Sequence, residues 1–320
     1  MLGEYNKNFS DPLNQMEEDL MNLAFEKSTY KHTTMGFLKD IKAMPSMYEY
    51  SLQFFDRHYV PSKSTVFVVG DFDREAVMAA ISKEYAGWTK PGAEVTPIEE
   101  PEQKGERGMH RAWKNEVLPQ MLIGYKVPAY DNSNPDYAAL SVVGEMLFGK
   151  TSPMYRKIVL DDQVAEDISF WDWPHRDPGL WIVNFKLKEE RFDEVIALLD
   201  QSLKDIAEGK ITEDRLAAVK SHYRYNFVLG METPREVANT LSFYSTMDGD
   251  PASLERFLQK VDSVTLADVK KVVELYLQKN GRTVVTLSHP GDEKAGGEKA
   301  GEGGEVEKAA KGGEKKEVQP

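Results

Sequence analysis

One segment indicates the fold most clearly. It begins with Ser46-Met-Tyr-Glu49 and ends with Thr65-Val-Phe-Val-Val69. The Ser-x-x-Glu spacing is a capping-box pattern, so it predicts a helix that runs to Tyr59 and stops before Pro61. The β-branched run that follows is typical of a short buried strand. The segment is therefore expected to be a capped helix that leads into a strand.

The same arrangement returns near the end of the 320-residue chain. Thr265-Leu-Ala-Asp268 again opens a capped helix, and Thr283-Val-Val-Thr-Leu287 again supplies a strand. Two copies of one pattern predict two related units, although helix–turn–strand segments are common enough to arise by coincidence. If the units are duplicates, the first is much the shorter. We therefore expect it to lack its opening strands and helices, so that the chain begins inside a domain.

Composition divides the chain into four parts. We expect residues 1–92 to be the C-terminal part of a first domain, residues 93–108 to be a linker rich in Pro, Glu, Lys and Gly, and residues 109–290 to be a second domain. Residues 291–320 hold almost no apolar side chains and cannot bury enough surface to offset chain entropy, which predicts a disordered tail. A lone charged helix is the alternative for this tail, and its many glycines argue against it.

Hydrophobic periodicity predicts the remaining elements. The first unit should contain helices at 12–27 and 73–87. In the second unit, two strands flank a Leu118-Pro119 turn and two more flank a turn at 174–178. The predicted strands of the second unit are 110–117, 120–127, 164–173, 179–188 and 283–287, and its helices are 134–148, 153–161, 190–208, 212–229, 233–246, 251–260 and 265–278.

Charge and composition exclude several classes of function. The net charge of −13 makes binding to nucleic acid or an acidic membrane through bulk charge implausible. The chain has no Cys, which excludes disulfides, thiolate metal sites and Cys nucleophiles. No apolar run reaches the roughly 18 residues of a membrane span. Residues 1–30 lack the pattern of a signal peptide, so the compartment is left open.

Five motifs in one order carry a family resemblance. The motifs are Gly36–Ile41, Phe54–Pro61, Thr65–Asp73, Asn134–Leu140 and Leu147–Arg156. Together they resemble the pitrilysin (insulinase) family of zinc peptidases, which includes the mitochondrial processing peptidase, and the resemblance spans residues 1–290. It implies an α+β fold of two related α/β domains with antiparallel-rich sheets backed by helices, the first domain being incomplete here. Because many bacterial relatives are exported, it is also compatible with a periplasmic parent protein.

The resemblance implies zinc chemistry that this chain cannot complete. Such peptidases carry an inverted motif, His-x-x-Glu-His, in which two His bind zinc and the Glu activates a zinc-bound water. None of the six His here has that spacing. The family's downstream Glu ligand falls on Glu4, whose alternative interpretation is a solvated surface residue. We therefore expect zinc in a full-length parent, no cofactor in this chain, and no peptidase activity from this chain alone.

The resemblance also suggests partners. In some subunits of the family an Arg and a Tyr hold the substrate, and the matching positions here are Val159 and Glu166. Neither can do so, and the nearby Arg156 aligns with an ordinary surface position. With Glu4 kept and the Arg/Tyr pair lost, the chain resembles the zinc-bearing type that works with a sister subunit on a peptide substrate. The alternatives are a non-catalytic scaffold or peptide-binding partner, and an unrelated α/β binding module.

Three further patterns have ordinary explanations. The aromatic run from Phe170 to His175 could bind peptide side chains, but a strand packed on one face is the commoner explanation. The pairs Asp161-Asp162 and Glu189-Glu190 could be acid–base carboxylates, but charges at helix ends are usually solvated. No phosphate-binding Gly-rich loop and no Ser nucleophile elbow is present.

Overall fold

A computed structural model describes residues 1–92, 96, 98–172, 174–188 and 190–290. The predictions of a disordered tail at 291–320 and of a role for Glu189 therefore lie outside the described residues. No helix in these ranges combines the length and the apolarity that a membrane crossing requires.

The central element is a five-stranded sheet with the order β1-β5-β2-β4-β3. Strand β1 runs parallel to β5, and every other pair is antiparallel. The expected α+β class with an antiparallel-rich sheet is thus confirmed. The strands are β1 (Arg107–Ala112), β2 (Gln120–Val127), β3 (Ala165–Trp171), β4 (Gly179–Leu187) and β5 (Arg282–Ser288).

The strands at 110–117 and 120–127 do not form the hairpin that the Leu118-Pro119 turn suggested. Strand β5 lies between them, with Met121 opposite Thr286 on one side and Met109 opposite Val285 on the other. The first strand also ends earlier than expected, at Ala112. Strand β5 therefore takes the place of β1 as a hydrogen-bond partner of β2.

Helices make up most of the remaining described structure. One helix, Asp136–Phe148, lies in the centre of the core, and all of its residues are buried. The helices are α1 (Leu2–Asn8), α2 (Pro12–Ala24), α3 (Leu38–Ala43), α4 (Tyr48–His58), α5 (Arg74–Tyr85), α6 (Asp136–Phe148), α7 (Pro153–Tyr155, continuing as a π-helical turn over Arg156–Asp161), α8 (Phe192–Ala207), α9 (Glu213–Leu229), α10 (Pro234–Asp248), α11 (Ser253–Ser263) and α12 (Leu266–Tyr276).

Helix α2 covers the face of the sheet opposite α6. Its buried residues Met16 and Leu20 pack with side chains of β2, β4 and β5, namely Leu122, Leu180, Val285 and Leu287. Two arginines of β1 bind the same helix: Arg111 Nη2 donates to Asp19 Oδ1 at 2.7 Å, and Arg107 Nη1 donates to the carbonyl oxygen of Leu23 at 2.8 Å. An early part of the chain therefore supplies one of the two layers around this sheet.

The side chains of residues 44–88 are much more exposed to solvent than those of the sheet and α6. Large apolar side chains of α4, α5 and the segment between them are exposed, among them Phe55 at 56% and Val66 at 51%. The strand predicted at 65–69 is not formed, because no described strand lies beside it to accept its hydrogen bonds. The capping box at Ser46 is also wrong: Met47 is the N-cap of α4, and Ser46 Oγ donates to the carbonyl oxygen of Ala43. Thr265 does cap α12 as predicted.

The segment expected to be a linker is fastened at Glu100. This carboxylate accepts hydrogen bonds from the backbone N–H groups of Glu26, Lys27 and Ser28 and from Lys126 Nζ, each at 2.8 Å. Burial works to raise the pKa of Glu100, but the four donors outweigh it and lower the pKa to about 2. One side chain thus joins the turn after α2 to strand β2.

Candidate functional site

The residue that the resemblance assigned to zinc stands apart from other metal ligands. Glu4 lies on the exposed side of α1, next to the buried Tyr5, whose ring stacks on Phe9. Within the described ranges, no group of three or more His, Asp or Glu side chains could hold a metal ion. The described residues therefore do not bring together the three protein ligands that a hydrolytic zinc needs.

The histidines are dispersed and several have structural partners. His110 Nδ1 lies 2.9 Å from Thr286 Oγ1, and His289 Nδ1 lies 3.2 Å from the carbonyl oxygen of Trp113. His175 is half-buried beside the ring of Tyr30, and burial lowers its pKa. These contacts belong to packing and strand edges and do not assemble a catalytic centre.

The two positions matched to the Arg/Tyr pair have no substrate-binding chemistry. Val159 lies in the π-helical turn and packs against the core. Glu166 is exposed on β3, where its Oε1 accepts from Lys186 Nζ at 2.8 Å. Arg156 is exposed near Asp161, and Lys157 pairs with Asp162 at 2.7 Å. The Asp161-Asp162 pair therefore belongs to surface ion pairs, as the ordinary explanation expects.

The aromatic run begins at the end of β3, where Phe170 and Trp171 are partly buried against the core. Phe170 packs against the rings of Phe148 and Trp181 and lies so close to Gly144 that a side chain there would collide with it. The packed-strand interpretation thus fits Phe170, while residue 173 lies outside the described ranges.

A cavity that the sequence did not reveal lies between α6, α9, α10 and the residues after β3. Its volume is about 490 Å³, and its walls combine two acids with aromatic rings. We call it the acidic cavity and define it by six of the residues that line it: Glu145, Asp172, Tyr223, Asn226, Phe227 and Tyr244. Glu145 lies within a helix of otherwise apolar character, which was the one signal that could have pointed to it.

The two carboxyl groups of the acidic cavity have different surroundings. Glu145 Oε1 lies 2.7 Å from His222 Nδ1, whose neighbour on the next turn is Asn226. Asp172 Oδ2 is fully buried and has no hydrogen-bond partner, whereas the side chains of Ser141 and Tyr223 hydrogen-bond to the same carboxyl group. Burial raises the pKa of Asp172, and it also raises the pKa of Glu145 despite the opposing contact with His222.

Comparison with known proteins assigns the family. Residues 47–223, more than half of the chain, match the family model described as the Peptidase M16 inactive domain. The zinc protease PqqE of Helicobacter pylori is 24% identical over 302 residues, which cover 87% of this chain and 63% of that protein. The chain thus spans less than two thirds of the length of this relative.

Solved structures share the fold. A protease from Helicobacter pylori superposes with a TM-score of 0.78 at 22% identity, covering 90% of this chain and 70% of the other. A peptidase M16 inactive domain from Pseudomonas fluorescens gives a TM-score of 0.75 at 18% identity, with coverage of 90% and 68%. The resemblance inferred from the five motifs is thereby confirmed. The chain belongs to the Peptidase M16 inactive domain family.

Proposed function

We propose that this chain is part of a zinc metalloendopeptidase subunit that degrades or processes peptides, and that these 320 residues are inactive alone. The observation that carries the proposal is family membership combined with a missing metal cage. No His-x-x-Glu-His occurs in the sequence, and the described residues bring no three metal ligands together. The imidazoles and the water-activating Glu must then come from a polypeptide outside these residues.

The exposed surface of residues 44–88 supports a docking role for such a polypeptide. The extended backbone at 65–69 leaves its N–H and C=O groups unpaired by any described strand, and Val66 and Val68 are exposed beside it. Unpaired strand-like backbone with apolar side chains favours the addition of a strand from another segment. The zinc-bearing segment of the same parent protein would pack here, and Glu4 would complete its metal ligands.

Metal analysis and an activity assay test the proposal directly. The purified 320-residue protein is expected to hold no stoichiometric zinc and to leave a fluorogenic peptide uncut. Cleavage that a chelator abolishes, with one zinc per chain, would overturn it. In the assembled peptidase, Glu4→Gln should lower zinc occupancy, whereas the matched change at the exposed Glu116 should leave zinc occupancy unchanged.

A non-catalytic scaffold or peptide-binding subunit is the second candidate. Substitution of the Arg/Tyr positions by Val159 and Glu166, together with the absent zinc motif, is compatible with a chain that has lost both halves of the chemistry. The location of the zinc motif distinguishes the two. A parent protein that carries the zinc motif in frame supports the first, and a complex in which only the sister carries it supports the second.

A further inference from the structure

One carboxylate oxygen in the acidic cavity has no hydrogen-bond partner among the described residues, although the carboxyl group is also contacted by Ser141 and Tyr223. Asp172 follows the last residue of β3, and its Oδ2 is buried without a hydrogen-bond partner. A buried polar atom left unpaired is costly, and native proteins rarely retain one without a reason. The atom lies in the wall of a cavity, so a bound donor could reach it.

Aromatic rings form the adjoining wall. The rings of Tyr223 and Phe227 lie 6.1 Å apart between centroids, and Phe227 meets Tyr244 edge-on at 5.9 Å. Aromatic faces attract cations through their ring quadrupole, most of all where water is displaced. The same rings offer apolar area to an alkyl chain. The wall therefore suits a ligand that is cationic at one end and apolar along its body.

Charge and coordination exclude other ligands. The described residues that line the cavity include two carboxyl groups and neither Lys nor Arg, and the nearby His222 already contacts Glu145, so the cavity does not favour an anion. A metal ion is disfavoured because no three suitable ligands converge among the described side chains. The volume of about 490 Å³ falls within the range of small-molecule pockets.

From these contacts we infer that the acidic cavity binds an organic cation, an ammonium or guanidinium group on a short alkyl chain. Asp172 pairs with the charge, Glu145 contributes a second carboxyl group, and the rings of Tyr223, Phe227 and Tyr244 contact the alkyl body. Such a group occurs both on free alkylamines or alkylguanidines and on the Lys or Arg side chain of a peptide. The inference does not depend on zinc chemistry, and it stands or falls separately from the proposed function.

Calorimetric titration of the full-length chain with a matched ligand pair tests the charge requirement. Butylguanidinium should bind, and the neutral isostere butylurea should bind at least about tenfold more weakly. Equal binding of the two, or no binding of either butylguanidinium or the Arg peptide at millimolar concentration, would overturn the inference. Blocked pentapeptides with Arg or citrulline at the centre form the second arm. Binding of the Arg peptide alone assigns the source as a peptide, and binding of butylguanidinium alone assigns it as a free small molecule.

Matched variants locate the site. Asp172→Asn should weaken butylguanidinium at least about tenfold, whereas Glu166→Gln, which removes an exposed acid on β3, should leave affinity unchanged. Because the Asp172 change could disturb folding, Thr240→Trp offers a second route by filling the cavity from its half-buried rim. Near-wild-type affinity in both folded variants would place the binding elsewhere and refute the assignment.

Discussion

The Glu100 carboxylate joins two parts of the chain that are distant in sequence. Its four donors come from two distant parts of the chain, and its partner Lys126 also lies over the ring of Phe25 at 5.1 Å. Both charged side chains are mostly withdrawn from water, with 8% of Glu100 and 17% of Lys126 exposed. Loss of this interaction is therefore expected to lower the free energy of unfolding.

Glu100→Gln should lower the free energy of unfolding by about 1–3 kcal/mol, because a neutral amide accepts more weakly and leaves Lys126 without its counter-charge. Urea denaturation at neutral pH measures the change. Glu102→Gln is the matched control, since Glu102 is exposed two residues away. Equal stability of the Glu100 variant and wild type would contradict the proposed importance of the contact.

The same residue predicts a pH dependence. The folded-state pKa of Glu100 is about 2, below its ordinary value of 4.5. The carboxylate therefore contributes stability that is fully present above about pH 4.5 and is lost as the pH falls towards 2. The difference in unfolding free energy between wild type and Glu100→Gln should shrink across that window. A difference that stays constant from pH 7 to pH 3 would be inconsistent with this assignment.

The contacts made by single residues were the hardest features to predict from the sequence. Glu100 stands in a segment whose composition indicates a linker, and three of its four donors are more than 70 residues earlier in the chain. Asp172 and Glu145 become neighbours of one cavity only when α6, α9 and α10 pack together. A local pattern carries no information about such contacts, whereas the absence of a zinc motif is local and was readable at once.

At the scale of elements, the two predicted capping boxes offer a matched comparison. Thr265 and Asp268 satisfy each other's backbone N–H groups at the start of α12, while Ser46 caps nothing in α4. Thr265→Ala should therefore cost about 1 kcal/mol of stability, and Ser46→Ala should cost close to nothing. Thermal unfolding of the two variants measures the contrast. Similar losses in both would refute the assignment of caps.

The two β-branched runs should differ in hydrogen exchange. Residues 283–287 lie between β1 and β2 in the sheet, whereas 65–69 have no described strand beside them. Amides of Val66 and Val68 should exchange at least about tenfold faster than those of Val284 and Val285, because protection follows the opening free energy of the backbone hydrogen bond. Comparable protection would indicate that a strand partner is present in solution.

Element types were largely predictable, and their pairing was not. Helices α2, α6 and α8 to α12 and strands β2 to β5 occupy the stretches that periodicity indicated, within a few residues. The parallel pairing of β1 with β5 escaped prediction because it joins residues about 175 positions apart. Propensity marks a strand, but the partner of that strand is chosen by packing of the whole chain.

At the scale of the whole molecule, the described structure is unevenly packed. One large cluster of buried side chains surrounds α6, and a second lies under α2. Residues 44–88 add little to either, and many of their apolar side chains remain exposed. This contrast agrees with the proposed function, in which residues 44–88 contact a further polypeptide. The division into domains at 93–108 stays a prediction.

The position of α2 bears on how this gene can be divided. A fragment starting at residue 93 would expose four apolar side chains that α2 covers in the intact chain. Together they form an apolar stripe across three adjacent strands: Leu122, Leu180, Val285 and Leu287. Such a fragment should self-associate in light-scattering measurements, and one starting at residue 10 should stay monodisperse. Monodisperse behaviour of the shorter fragment would show that the stripe tolerates water. A shortened protein for crystallisation should therefore keep α2, although this helix precedes the predicted domain boundary at residue 93.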